Sequence, residues 1–402
     1  MSIVLALTVG GSSNPLVRSI NEYQPEKVLF FVTDESRQQV LENVDGNGSI
    51  ISRTHLAESA YTLVTITDPD NLSGCAEEMR EAMLAAAKKA PQGRLIADYT
   101  GGTKTMSAAL VTVALRLHWE ISLVQGKRTN AIRTLNGTEI AQLIPTASLY
   151  LAQELESARP MFDFYQYDAV ENLLSSVLRE APVSSDKVKL AIVMARAFAA
   201  WDKFNHSQAL DILRTEKKRF PTYVKCLAQL TGEGQVTHYE KVWDLLRNAE
   251  RRAKQGHYDD SVLRLYRALE MFAQIRLRTE HAVNTDDIDL GQLPADARKA
   301  FDQQVDQGRK KITAGLYLSY NLLRNLSDPI GPIYESWEKK INDLLDQRNR
   351  SILAHGEQPV GQDMWQRAHL LAREFLGEAA AAIGVSTDWP QFPRWEEVME
   401  QS

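Results

Sequence analysis

Asp98-Tyr99-Thr100-Gly101-Gly102-Thr103-Lys104-Thr105-Met106 follows a short apolar run, Leu95–Asp98, and opens a long alanine-containing stretch, Thr103–His118. A short apolar run that breaks on glycines and resumes as an amphipathic segment reads as strand, tight turn, helix. The same pattern recurs upstream. Ile3–Val9 predicts a buried strand, Gly10-Gly11-Ser12-Ser13-Asn14 a loop, and Pro15 a helix start, because proline suits a first helical turn. Lys27–Thr33 and Ala60–Thr67 predict further strands, with helices after Asp34 and over Ala76–Ala90. Strands alternating with helices make a mostly parallel sheet covered by helices on both faces. Ile121–Val124 and the segment around Ile132–Ile144 read as closing strands, with Asn136-Gly137 as a hairpin turn.

The strand pattern stops near residue 146. Leu149–Glu156, Tyr167–Arg179, Lys187–Trp201 and Ser207–Arg214 have helical periodicity, and Ala195–Leu213 resembles one unit of a helical-hairpin repeat. Thr231-Gly232-Glu233-Gly234 is the candidate linker. Val242–Lys254, Tyr258–Thr279, Ile312–Leu326, Ile333–Arg350 and Met364–Ile383 predict a second set of helices, and His281–Gly308 reads as a polar, mobile insertion. The expected organisation is an α/β domain over residues 1–148, a helical connector over 149–235 and an all-α domain over 236–402.

A chain of 402 residues exceeds what one core usually supports. The net charge of −6 gives no global attraction to nucleic acid or anionic membrane, so any RNA contact must come from a local basic patch. Cys75 and Cys226 stand far apart, outside metal-ligand spacing, which argues against a disulfide framework or a zinc site. Met1–Val9 lacks a basic flank and a cleavage-like stretch, so it reads as a strand and not a signal peptide. No apolar run approaches the roughly 18 residues of a membrane span. A cytoplasmic location is expected.

In an open parallel sheet, ligands bind beyond the carboxyl ends of strands near the point where strand order reverses. The Gly10–Asn14 loop and the Thr100–Thr105 loop both sit at such ends. Glycines let the backbone approach a phosphate, and a helix N-terminus offers free N–H groups and a positive dipole end. The plainer reading is two tight turns with capping hydroxyls. The pair of loops, one carrying Lys104, favours a nucleotide or phosphate site. Neither loop has Walker A spacing, and no G-x-G-x-x-G fingerprint is present.

The segment Asp98–Met106, after a strand and before a helix, resembles the signature of CRISPR-associated Rossmann-fold (CARF) domains. The Gly10-Gly11-Ser12 loop is compatible with it. The resemblance implies a Rossmann-like sensor of cyclic oligoadenylate, two copies pairing around one symmetric ring. Gly10, Gly11, Ser12 and Asn14 would line one part of that site, and Gly101, Gly102, Thr103 and Lys104 the other.

A second informative segment is Asp346–Gly356. If it is helical, at about 100° per residue, Arg348 and His355 point in nearly the same direction, and Arg350 lies roughly 140° from His355. Arginine supplies a permanent cation for a phosphodiester, and histidine moves a proton near neutral pH. The plainer reading is a polar helix end whose histidine satisfies the dipole. Arg348-Asn349 followed by His355-Gly356 resembles the R-polar-x(4–6)-H motif of HEPN ribonucleases. The upstream helix Tyr258–Glu270 resembles the helix with which HEPN domains often open, and its Arg267 and Glu270 are spaced to pair. Arg350 also satisfies the loose motif; helical geometry favours Arg348.

CARF followed by HEPN is the layout of the ancillary ribonucleases of type III CRISPR systems. That resemblance implies a homodimeric, metal-independent endoribonuclease acting on single-stranded RNA and activated by cyclic oligoadenylate, with no other cofactor. Arg348, Asn349 and His355 would be catalytic and 2′,3′-cyclic phosphates the products. A non-enzymatic, nucleotide-responsive adaptor whose HEPN-like helices only dimerise is the alternative. A weaker one is an NTP-dependent transferase using Lys104, for which no paired-carboxylate Mg²⁺ site is evident. Arg247, Arg251, Arg252 and Lys254 read as a solvated basic face, with RNA guidance as the alternative. Trp201, Trp243, Trp337 and Trp365 read as core anchors.

Overall fold

A computed structural model describes residues 2–44, 46, 48–125, 128–129, 133–134, 140–180, 185–234, 236–307, 310–349 and 357–401. The chain divides into two compact units, Met1–Ala152 and Gln153–Ser402.

In the first unit, β1 (Ile3–Thr8), α1 (Asn14–Tyr23), β2 (Lys27–Val32), α2 (Asp34–Leu41), α3 (Ile50–Thr54), β3 (Tyr61–Thr65), α4 (Leu72–Lys89), β4 (Arg94–Asp98) and α5 (Lys104–Arg116) alternate as the apolar pattern requires. Then come β5 (Glu120–Gln125), a small ladder of β6 (Arg128–Thr129) and β7 (Arg133–Thr134), and β8 (Ile140–Ile144). The main sheet has the order β3-β2-β1-β4-β5-β8, parallel except for β8, which runs antiparallel to β5. Leu5, Leu7, Phe30 and Ile96 are buried on one face, and Ala6, Phe31, Ala97 and Leu110 belong to the core of the other. Burial on both sides explains why β1 and β2 read as unbroken apolar runs. Strand order reverses between β1 and β4, which places the loops after those two strands side by side.

One detail differs from the sequence reading. The short α3 was not anticipated; Ser49 caps it at the Ser52 N–H (3.1 Å), and buried Ile50 anchors it. Arg128 pairs with Thr134 and Thr129 with Arg133 in an antiparallel ladder. Asn136-Gly137, expected as a hairpin turn, lies outside the described residues.

The second unit is helical. Its elements are α6 (Ala147–Asp163, beginning in the first unit), α7 (Tyr167–Glu180), α8 (Asp186–Asp202), α9 (His206–Leu213), α10 (Pro221–Leu230), α11 (Glu240–Lys254), α12 (Tyr258–His281), α13 (Ala295–Arg298), α14 (Asp302–Asp306), α15 (Leu316–Asn325), α16 (Ile330–Asn349), α17 (Gln362–Ala382) and α18 (Trp395–Met399). Thr231–Gly234 forms the turn after α10 inside this unit, with Gly232 and Gly234 at positive φ.

Aromatic side chains organise its core. Phe392, after α17, packs on Phe198 at 4.6 Å and on Trp201 at 5.0 Å, and Trp395 meets Phe162 at 5.6 Å. Tyr320 stacks on Tyr334 at 4.8 Å and meets Phe375 edge-on. Trp201 and Trp243 are buried as expected, whereas Trp337 and Trp365 are only half-buried. The segment after α12 corrects the expectation of a polar, mobile insertion. Val283, Ile288, Leu293, Ala297 and Phe301 are buried there and hold short helical turns in place. Helices this short show no 3.6-residue period, which is why the segment looked structureless.

Candidate functional site

In the first unit, the loops after β1 and β4 pack backbone to backbone. Thr8 Oγ1 donates to the Gly101 carbonyl at 2.7 Å, and Ser107 Oγ donates to the same oxygen at 2.8 Å. A Cβ on Gly10 would lie 2.5 Å from the Gly102 nitrogen, and one on Gly101 would lie 2.2 Å from the Thr8 carbonyl oxygen. Gly102 also has φ +83°, where side chains are strained. These glycines are required by the fold of the loops, before any ligand is considered. The structure thus brings Gly10, Gly101 and Gly102 together. Gly11, Ser12 and Lys104 are exposed around them, and Asn14 and Thr103 are half-buried.

The two helix starts differ. Thr103 caps α5, accepting from the Met106 N–H at 3.1 Å and donating to the Pro69 carbonyl at 2.9 Å. Ser13, the N-cap of α1, makes no side-chain capping bond. Its hydroxyl accepts from Arg53 Nη1 at 2.9 Å, while Arg53 Nη2 donates to Asn14 Oδ1 at 2.8 Å. Sequence reasoning missed Arg53, some forty positions from the loop it holds.

A fully buried carboxylate lies below the second loop. Asp98 Oδ2 accepts from Ser19 Oγ (2.8 Å) and Ser122 Oγ (3.0 Å), and Oδ1 accepts from the Thr100 N–H (2.9 Å). Burial raises its pKa above the ordinary aspartate value, against the opposing pull of the hydrogen bonds from Thr100, Ser19 and Ser122. Thr100 Oγ1 in turn accepts from the Val124 N–H at 2.8 Å, tying the loop to β5.

In the second unit, Arg348 and Asn349 are the last two described residues of α16. His355 lies outside the described residues, as do Arg350 and Gly356. Arg267 does pair with Glu270, at 2.6 Å on an exposed face of α12. The basic run of α11 is not a solvated face. Arg251 is fully buried, donating from Nε to Asp202 at 2.7 Å and from Nη1 to Gln391 at 2.7 Å, with its guanidinium 3.6 Å over the Phe392 ring. Arg252 also bonds Asp202. Arg247 donates to the Trp389 carbonyl at 2.9 Å and pairs with Glu250, and Lys254 donates to the Asp163 carbonyl at 2.7 Å. Apart from Glu250, their partners come from other helices and from the segment after α17, which spacing along α11 does not reveal.

Both cysteines are buried and free, and burial pushes the Cys226 thiol up to about 12. Among the described residues, no group of three or more His, Cys, Asp or Glu side chains is placed to hold a metal ion. No helix among them is long and apolar enough to cross a membrane.

Two family models match the chain: the Csm6 6H domain over residues 150–255 and the Csm6 HEPN domain over residues 231–377. Between them they span more than half of it. The chain belongs to the Csm6 family. It is thereby a member of the CARF–HEPN ancillary ribonucleases of type III CRISPR systems, with a Rossmann-like α/β domain ahead of an all-α region. The fold is shared along its whole length with Enterococcus italicus Csm6 bound to cyclic hexa-2′-fluoro-hexa-dAMP, at 14% identity, 100% coverage of both chains and a TM-score of 0.67. Can2 from Sulfobacillus thermosulfidooxidans in complex with cyclic tetra-adenylate aligns over 55% of this chain and 69% of its own, at 13% identity and a TM-score of 0.26. Protein VC1899 from Vibrio cholerae aligns over 46% and 54%, at 15% identity and 0.24. Scores that low support no argument for this Csm6-family chain. No curated protein matches it significantly by sequence.

Proposed function

We propose that this Csm6-family chain is a cytoplasmic endoribonuclease that cleaves single-stranded RNA without a metal and is switched on by cyclic oligoadenylate in antiviral defence. The observation that carries the proposal is the backbone cradle at the strand-order reversal, where Gly10, Gly101 and Gly102 pack too tightly for side chains beside the N-terminus of α5 and exposed Lys104. Such a cradle suits the phosphates of a nucleotide ring. The Enterococcus italicus relative, of the same fold, carries a cyclic hexanucleotide.

In this reading residues 1–148 sense the activator and pair with a second copy, residues 149–235 connect, and residues 236–402 cut. Arg348 holds the scissile phosphate and stabilises the charge that develops as the ribose 2′-hydroxyl attacks. His355 moves the proton, and Asn349 orients one of the two. The bond from phosphorus to the 5′-oxygen breaks, leaving a 2′,3′-cyclic phosphate and a 5′-hydroxyl. Activation requires that the ring bind the active arrangement more tightly than the inactive one.

The test mixes protein, end-labelled single-stranded RNA and cyclic oligoadenylate, with and without EDTA. Cutting only with activator, unchanged by EDTA and lost in Arg348→Ala and His355→Ala, is expected. Loss of all cutting under chelation would reject the metal-free mechanism. Full cutting by both alanine variants would reject the assigned residues. Absence of cutting by a parent that still binds the ring would favour the adaptor.

A further inference from the structure

We propose that Arg53 is the positioning residue of the first activator loop, and that it holds Ser13 and Asn14 in the arrangement that meets the ring. The inference rests on the reading that the two loops receive cyclic oligoadenylate.

Ser13 stands at the start of α1 with helical φ −82° and ψ −27°, makes no capping bond, and its hydroxyl accepts from Arg53 Nη1 at 2.9 Å. Asn14, the other short polar side chain at this helix start, has its carbonyl oxygen on Arg53 Nη2 at 2.8 Å. One planar guanidinium therefore occupies both local acceptors with its two terminal nitrogens. Lysine, a point charge without that fork, cannot reproduce the geometry. The same cation adds positive charge beside a helix end whose dipole already favours anions.

The arginine is delivered by an element built for it. Gly48 has φ +93°, and a Cβ there would press on Arg53 Cγ at 3.3 Å, so the glycine leaves room for the arginine stem. Asn43 Oδ1 accepts from the Gly48 N–H at 2.7 Å, and Ser49 caps α3. Ile50 is buried against the core and fixes the direction from which Arg53 reaches the loop.

The experiment measures binding of cyclic tetra-adenylate and cyclic hexa-adenylate, separately, by calorimetry on the full chain. Activator-dependent RNA cleavage is followed in parallel. Arg53→Gln should raise the dissociation constant of whichever ring the parent binds by about tenfold, the scale of one charge-assisted hydrogen bond. The cleavage rate at saturating ring should stay that of the parent, because the loop, and not the reacting centre, is disturbed. Arg53→Lys should fall between the two. In an Asn14→Ala background, Arg53→Gln should cost less than in the parent, because one of the arginine's two contacts is already gone.

Parental affinity in Arg53→Gln, or losses that multiply in the double variant, would overturn the inference and leave the site reading intact. A saturating rate that falls as far as the affinity would also overturn it. A parent that binds neither ring would overturn the site reading and this inference together. Thermal melts of Arg53→Gln and Arg53→Lys separate unfolding from loss of the loop.

Discussion

Replacing Gly101 by alanine tests the cradle directly. The new methyl carbon would sit 2.2 Å from the Thr8 carbonyl oxygen and 3.2 Å from the Gly10 nitrogen. The first contact is about 1 Å inside ordinary van der Waals approach, and both neighbours are backbone, which cannot rotate aside. The loops must part, breaking the bond from Thr8 Oγ1 to the Gly101 carbonyl. Overpacking of this kind costs about 1–3 kcal/mol, and the lost bond about 1 kcal/mol more, so a destabilisation of about 2–4 kcal/mol is expected. Gly11→Ala is the matched control. Nothing lies within 4 Å of its added carbon and its φ is not left-handed, so its effect should stay within about 0.5 kcal/mol. Urea unfolding gives the stabilities of both variants, and titration with cyclic oligoadenylate gives the affinity of Gly101→Ala, which should fall at least tenfold. A parental urea midpoint for Gly101→Ala, or an equal loss of stability in Gly11→Ala, would refute the reasoning.

Three further expectations concern the helical unit. Arg251→Leu removes one of the two cations on buried Asp202, leaving Arg252, and should cost about 1.5–3 kcal/mol in denaturant unfolding. For Asp328, burial alone would raise the carboxyl pKa, but the Ile330 N–H, His281 and Arg276 outweigh it and the net direction is down. Its stabilisation is therefore complete above the ordinary aspartate value of about 3.9 and disappears as pH falls through the lower folded value. Asp328→Asn should be less stable at neutral pH and should lose that acid-side slope in unfolding measured between about pH 5 and pH 2. Arg267→Ala breaks an exposed pair and should cost less than about 1 kcal/mol, read from the same unfolding curves.

The parallel sheet was legible because burial on both faces leaves strands such as Lys27–Val32 almost wholly apolar. The two loops were legible as glycine clusters at strand ends, and their close backbone packing is what demands the glycines. Arg53 was not, since nothing in a five-residue helix with one buried isoleucine tells where its arginine reaches. The basic run of α11 misled for a related reason. Arg251 sits on a helix face that spacing marks as polar, and only the long-range return of Asp202, Gln391 and Phe392 turns that face inward. Short helices such as α13 and α14 fall below the length at which periodicity is readable.

The packing of Phe392 and Trp395 has a consequence for synthesis. The Trp395 N–H bonds Asp163 Oδ1, 232 positions earlier, and the Tyr223 hydroxyl bonds the Gln391 carbonyl, 168 positions later. At translation speeds of roughly 5–20 residues per second, the ribosome needs roughly 10–50 s to supply the aromatic lid that Phe162, Phe198 and Trp201 await. Through that interval those rings lack the partners that cover them in the folded chain. Slowing elongation between α10 and α18 lengthens the window in which unfinished chains can aggregate.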